Sequence, residues 1–150
     1  MLVVLLAALT GVTGGVGGFT FVYAKGSSYL GNDPQTCANC HVMREHLDAW
    51  TKSSHRGAAT CNDCHAPEDV LGKYATKGRN GLLHSVAFTT GEFPDPLRIK
   101  PGNLAIAEAN CRRCHATLVD VIDRLDAGGP GHDGSGLSCT ACHKHVGHPR

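Results

Sequence analysis

The chain has 150 residues, of which 5% are aromatic and 19 are glycine. That is sequence for one small domain with little material for a large side-chain core. The formal net charge of +1 leaves no basic excess for a nucleic-acid partner.

The first element is apolar. Residues 1–24 read as a transmembrane anchor: Leu2 to Ala24 carries no charged residue, and as a helix it would be about 35 Å long, against a hydrocarbon core of about 30 Å. Lys25 closes the run, and Tyr23 suits the membrane–water interface. Val22-Tyr23-Ala24 resembles a signal-peptide cleavage site, but the run exceeds the usual core of about 7–15 residues, and no basic stretch precedes it. An uncleaved single-pass anchor is therefore expected, with its N-terminus in the cytoplasm and the rest of the chain outside. Gly11/Gly15 and Gly14/Gly18 have the spacing that lets a second helix approach closely.

Residues 25–36 form a polar linker rich in Gly, Ser, Asn and Pro. Residues 37–150 then carry all eight cysteines, as four CxxCH motifs. They are Cys37-Ala-Asn-Cys40-His41, Cys61-Asn-Asp-Cys64-His65, Cys111-Arg-Arg-Cys114-His115 and Cys139-Thr-Ala-Cys142-His143. CxxCH is the attachment signature of c-type haem. Zinc sites and disulfides also use paired cysteines, but neither needs a histidine after every second one. Four covalently bound haem c groups are the expected cofactors, and their attachment outside the cytoplasm agrees with an exported domain.

The motifs fall in two pairs, which suggests two di-haem modules. Between them, Pro67 is expected in the first turn of a helix through Val70, Leu71 and Tyr74, weakened at Gly78 and Gly81. Phe93 to Gly102, with three prolines, reads as loop. Ala116 to Ala127 reads as a helix with Leu118, Val121, Ile122 and Leu125 on one stripe, stopped by Gly128-Gly129-Pro130. Gly128 to Gly136 reads as loop. The expected fold is mostly α with few, short helices and extensive loop, little or no sheet, and one transmembrane helix before a small multihaem domain.

Each haem iron offers two axial positions, and ligand identity tunes its potential. Six histidines lie outside the motifs. His55 and His148, close to the second and fourth motifs, are the best distal candidates. His46 and His132 fit the surface or a haem propionate, and His145 has no assigned role. In CxxCHxM at Cys37–Met43, spacing alone favours His41 as ligand and Met43 as packing.

The anchor, the Cys37-Ala-Asn-Cys-His-Val-Met43 run, His55 before Cys61-Asn-Asp-Cys-His-Ala-Pro67, and the Cys139-Thr-Ala-Cys-His ending followed by His148 resemble the NapC/NirT family of membrane tetrahaem cytochromes c. The short length looks most like its NrfH branch, the small subunits of membrane-bound cytochrome c nitrite reductases. The resemblance spans nearly the whole chain. It implies that Met43, not His41, binds the first iron. It implies His65 at the second, completed by a lysine of the partner, His115 with His148 at the third, and His143 with His55 at the fourth. It further implies a quinol site (menaquinol or ubiquinol) beside the first haem, where the family's lysine matches Lys77 and its following acidic residue falls on His84. Lys77 and His84 would share a helix face, and histidine near neutrality can accept a quinol proton.

The function implied is a quinol dehydrogenase of the bacterial inner membrane, with its haem domain in the periplasm. It would pass electrons from the quinol pool to a periplasmic multihaem nitrite reductase, without itself reducing nitrite. The alternatives are the same role for another periplasmic reductase, acting on nitrate or trimethylamine oxide, or a soluble tetrahaem shuttle.

Overall fold

The computed structural model describes residues 1–126 and 138–148. The expected Gly128–Gly136 loop and His132 lie outside the described residues. Helix α1, Leu2–Tyr23, has no buried residue and is long and apolar enough to cross a membrane. The chain leaves it through Lys25 in the left-handed region, φ 52°, and enters a 3-10 turn at Gly26–Leu30. A Cβ at Gly26 would run into the Phe21 ring, so glycine lets the turn close against the helix end.

The linker is more ordered than its composition suggests. Besides the first turn, a second 3-10 turn spans Pro34–Asn39, where Asp33 accepts a hydrogen bond from the Gln35 amide at 2.9 Å. A third, His41–Met43, leads into α2, Arg44–Thr51. Leu47 of α2 is buried, and the Trp50 indole N–H donates to the Ala59 carbonyl at 3.0 Å, fastening the loop before α3. Helix α3, Cys61–His65, starts with a reciprocal cap in which Asp63 accepts from both the Thr60 amide and hydroxyl.

The middle of the chain departs from the sequence expectation. Helix α4, Val70–Thr90, runs 21 residues without a break at Gly78 or Gly81. It begins after Pro67 rather than around it, because the Asp69 side chain caps the Gly72 amide at 2.6 Å. Gly91 ends it at φ 77°, a glycine stop. The expected Phe93–Gly102 loop ends early: Pro101 is the first residue of α5, Pro101–Cys114, since its fixed φ suits a first turn. Helices are thus longer than expected, while α6, Ala116–Asp126, matches its sequence reading closely. The short α7 is Cys139–Cys142. No strand occurs among the described residues.

The core is small. Leu47, Ala66 and Ala107 are the buried apolar residues among those described, and Asn110 is the buried polar one. Asn110 on α5 donates to the carbonyls of Cys64 at 3.1 Å and Ala66 at 2.9 Å, so it locks α3 to α5 by satisfying the α3 end. The second and third motifs are therefore in direct contact, across the boundary between the two suggested modules.

Candidate haem-attachment sites

Each motif sits on a short or terminal helical turn, which brings its two thiols to one side. The first straddles the end of the Pro34–Asn39 turn. The second is α3 itself. The third closes α5, with His115 as the residue after the last turn, and the fourth forms α7 and continues to His143. None of the eight cysteines is paired in a disulfide.

Neighbouring thiols join motif to motif in chain order. Cys37 lies beside Cys61, and that neighbour first of all holds the Cys37 pKa down to about 7, helped by the nearby Lys77 cation. The same pairing, then burial, raises the Cys61 thiol. Cys64 lies among the third motif's thiols: burial raises its pKa first, and Cys111 and then Cys114 contribute. Cys111 in turn lies near Cys139. The thiols form a row of pairs. Among the described residues, no three His, Cys, Asp or Glu side chains converge as a metal cage would require.

Glu108, which the sequence reading missed, ties the fourth motif to the third. Its carboxylate accepts from the Ser138 hydroxyl at 2.8 Å, the Cys139 amide at 2.8 Å, and the Thr140 amide and hydroxyl at 3.0 and 2.8 Å. Burial works to raise its pKa, but these donors, those of Thr140 foremost, hold it down to about 2. The side chain thus caps α7 from another helix. Only Ser138, a common cap residue directly before the motif, signalled a helix start there. Thr60-x-x-Asp63 was the readable signal for α3.

The histidines pair across the domain. The His55 and His115 ring centroids are 6.1 Å apart at 70°. His65 and His148 are 5.8 Å apart and nearly parallel at 13°, and His148 also meets His46 edge-on at 4.8 Å. Desolvation by surrounding atoms, then His148 and His46, push the pKa of His65 downward, although the residue keeps an exposed surface. These neighbours differ from the pairs His115–His148 and His143–His55 implied by the family resemblance. His46 is partly buried, and its Nδ1 is buried without a hydrogen-bond partner.

Lys77 and His84 both lie on the unbroken α4, two turns apart. Lys77 Nζ donates to the carbonyls of Tyr29 at 3.1 Å and Gly31 at 2.6 Å and lies over the Tyr74 ring, 5.7 Å from its centroid. Desolvation, then Lys73, lower its pKa. Burial, then Lys100, lower that of His84. Met43 is partly buried at the end of the first motif's turn, and His143 follows α7. Among the described residues, nothing packs against Gly11, Gly14, Gly15 or Gly18.

The donor set fits covalent haem. Thiols stand in CxxC pairs, each followed by histidine, imidazoles lie face to face or edge to face between motifs, and one buried imidazole nitrogen lacks a partner.

Comparison with known proteins agrees. The profile of the NapC/NirT cytochrome c family, N-terminal region, matches residues 1–150. The cytochrome c-type protein NrfH of Wolinella succinogenes is 39% identical over 137 residues, which is 85% of this chain and 77% of that one. The cytochrome c nitrite reductase subunit NrfH of Nitratidesulfovibrio vulgaris is 30% identical, covering 95% of this chain and 82% of the relative. NapC of Escherichia coli K12, a cytochrome c-type protein, is 28% identical over 93% of this chain and 79% of its own length. Among solved structures, a chain of the cytochrome c nitrite reductase NrfHA complex bound to the HQNO inhibitor superposes with a TM-score of 0.65 at 26% identity, covering 100% of this chain and 92% of that one.

Proposed function

From the premise that the chain belongs to the NapC/NirT cytochrome c family, we propose that it is a membrane-anchored tetrahaem quinol dehydrogenase that delivers electrons to a periplasmic cytochrome c nitrite reductase. The observation that carries this reading is the row of four attachment motifs, with Lys77 beside its first member. The NrfH relatives and the NrfHA likeness supply the partner. The likeness to NapC favours one second reading, the same role for another periplasmic reductase. The protein retained on co-purification from membranes distinguishes the two.

The eight motif cysteines tether the cofactors, and Met43, His65, His115, His143, His55 and His148 are the candidate axial ligands. A lysine of the partner subunit would complete the second site. Haem c supplies the one-electron carriers. The chain's own task at the entry point is to hold a quinol and take its protons. Lys77 orients a quinol oxygen through its ammonium, which the Tyr29 and Gly31 carbonyls fix in place. Burial and the Lys100 cation favour the neutral form of His84, whose free ring nitrogen is able to accept a proton. Helix α1 anchors the domain, with the haem motifs on the periplasmic side.

Quinol oxidation by the Lys77→Leu variant, in membranes, tests the entry site. A fall of about tenfold or more is expected, equivalent to ~1.4 kcal/mol of transition-state stabilisation, while dithionite still reduces all haems. Unchanged quinol turnover would remove Lys77 from the site.

A further inference from the structure

Helix α4 turns one face away from the domain. Thr76, Asn80, Leu83 and Ala87 are partly covered on the inner side, where Asn103 of α5 donates to Asn80 at 3.2 Å. The outer side carries Val70, Leu71, Tyr74, Leu82, Val86 and Phe88, all exposed, with Leu71 at 85% and Leu82 at 67%. Successive residues advance by about 100° around a helix, which gathers these six on one side, with Lys73 and Lys77 at one margin and Arg79 at the other. No Asp or Glu occurs anywhere from Val70 to Thr90. An exposed apolar face bordered only by cations is the pattern of a helix lying in the surface of an anionic bilayer.

Position supports the same occupant. Tyr74 donates to the Leu30 carbonyl at 3.2 Å, and Lys77 to those of Tyr29 and Gly31. These carbonyls lie at the end of the 3-10 turn Gly26–Leu30, which packs on the end of α1. Five residues of 3-10 helix rise about 10 Å, and the polar layer of one leaflet is about 5–7 Å deep. The first half of α4 is thereby tied within about 10 Å of where the span ends, a distance of one to two headgroup layers.

We propose that α4 is a second membrane contact: it rests in the headgroup region with Val70, Leu71, Tyr74, Leu82, Val86 and Phe88 against lipid and Lys73 and Arg79 among anionic headgroups. This rests on the reading of α1 as the membrane span. The consequence is that Lys77 and His84, on the same helix, are held at the depth from which a lipid-dissolved quinol arrives.

The test uses the full-length haem-loaded protein in liposomes of phosphatidylethanolamine and phosphatidylglycerol doped with a lipid carrying a diazirine near the acyl carbonyl. After illumination, peptides are mapped by mass spectrometry. Lipid adducts are expected on α1 and on α4, at or beside Leu71, Leu82 and Val86. Helix α6, whose Leu118 and Val121 are also exposed, should stay unlabelled. The double variant Leu71→Glu, Leu82→Glu should lose the α4 adducts, keep those on α1 and retain the wild-type haem spectrum. Adducts on α1 alone, equal labelling of α6, or cross-links between α4 helices of two copies would overturn the proposal. Absence of adducts from α1 as well would instead sink the anchor reading.

Discussion

Four donors converge on the single carboxylate of Glu108, which reaches from α5 to the fourth motif. Its folded pKa, about 2, lies well below the usual carboxylate range. A depressed carboxylate stabilises the fold fully above its unfolded pKa, and the contribution disappears as pH falls through the folded value. Glu108→Ala should therefore cost about 1–2 kcal/mol at pH 7 once solvent screening is allowed for. Glu108→Gln, whose one oxygen can still accept some of the bonds, should cost less. Denaturant titrations in detergent, followed by circular dichroism, measure both. The gap between wild type and Glu108→Ala should close between about pH 4.5 and pH 2, and a gap that persists at pH 2 would show that charge and hydrogen bonding at Glu108 do not hold α7. Sequence reading missed this residue because its partners stand about thirty positions away. By contrast, the eight cysteines and their histidines were legible at once, since attachment chemistry acts over five consecutive residues.

Helix α4 shows how a local preference is overridden at the scale of an element. Gly78 and Gly81 each weaken a helix interior, by about 1 kcal/mol relative to alanine, and on that ground a short helix was expected. The helix persists because Asp69 caps its start, Gly91 closes its end, and Tyr74, Lys77 and Asn80 are hydrogen-bonded to other segments. Open space surrounds both glycine positions. Gly81→Ala should thus raise stability by about 0.5–1 kcal/mol and slow amide exchange across residues 78–90, read by hydrogen–deuterium exchange mass spectrometry. Faster exchange there would mean that the glycine serves a close approach. The elements legible from sequence were those with an uninterrupted signal: the charge-free α1, and α6 with its apolar stripe. Pro101 misled because proline marks a loop and a helix's first turn equally well, and only the continuation through Leu104, Ile106 and Ala107 decides between them.

The composition of the whole molecule, poor in aromatic residues, has a consequence for folding. Among the described residues only Leu47, Ala66 and Ala107 are buried apolar side chains, and none of the described side chains is both large and fully buried. Ordering a residue costs about 1–2 kcal/mol of backbone entropy, so a domain of this length needs far more apolar contact than three side chains supply. The four motifs are spread along the domain and their thiols meet in series, so each attached ring would have polypeptide from neighbouring motifs to pack against. On this argument folding of the motif-bearing domain should be coupled to haem attachment, with the cofactors supplying the greater part of its core. The chain produced without haem attachment, in detergent, should keep the helical signal of α1 yet show no cooperative thermal or denaturant transition from the rest, while the haem-loaded protein unfolds sigmoidally. A cooperative transition in the haem-free chain would mean that the polypeptide's own contacts, Asn110 between α3 and α5 and Glu108 at α7 among them, suffice to hold the domain.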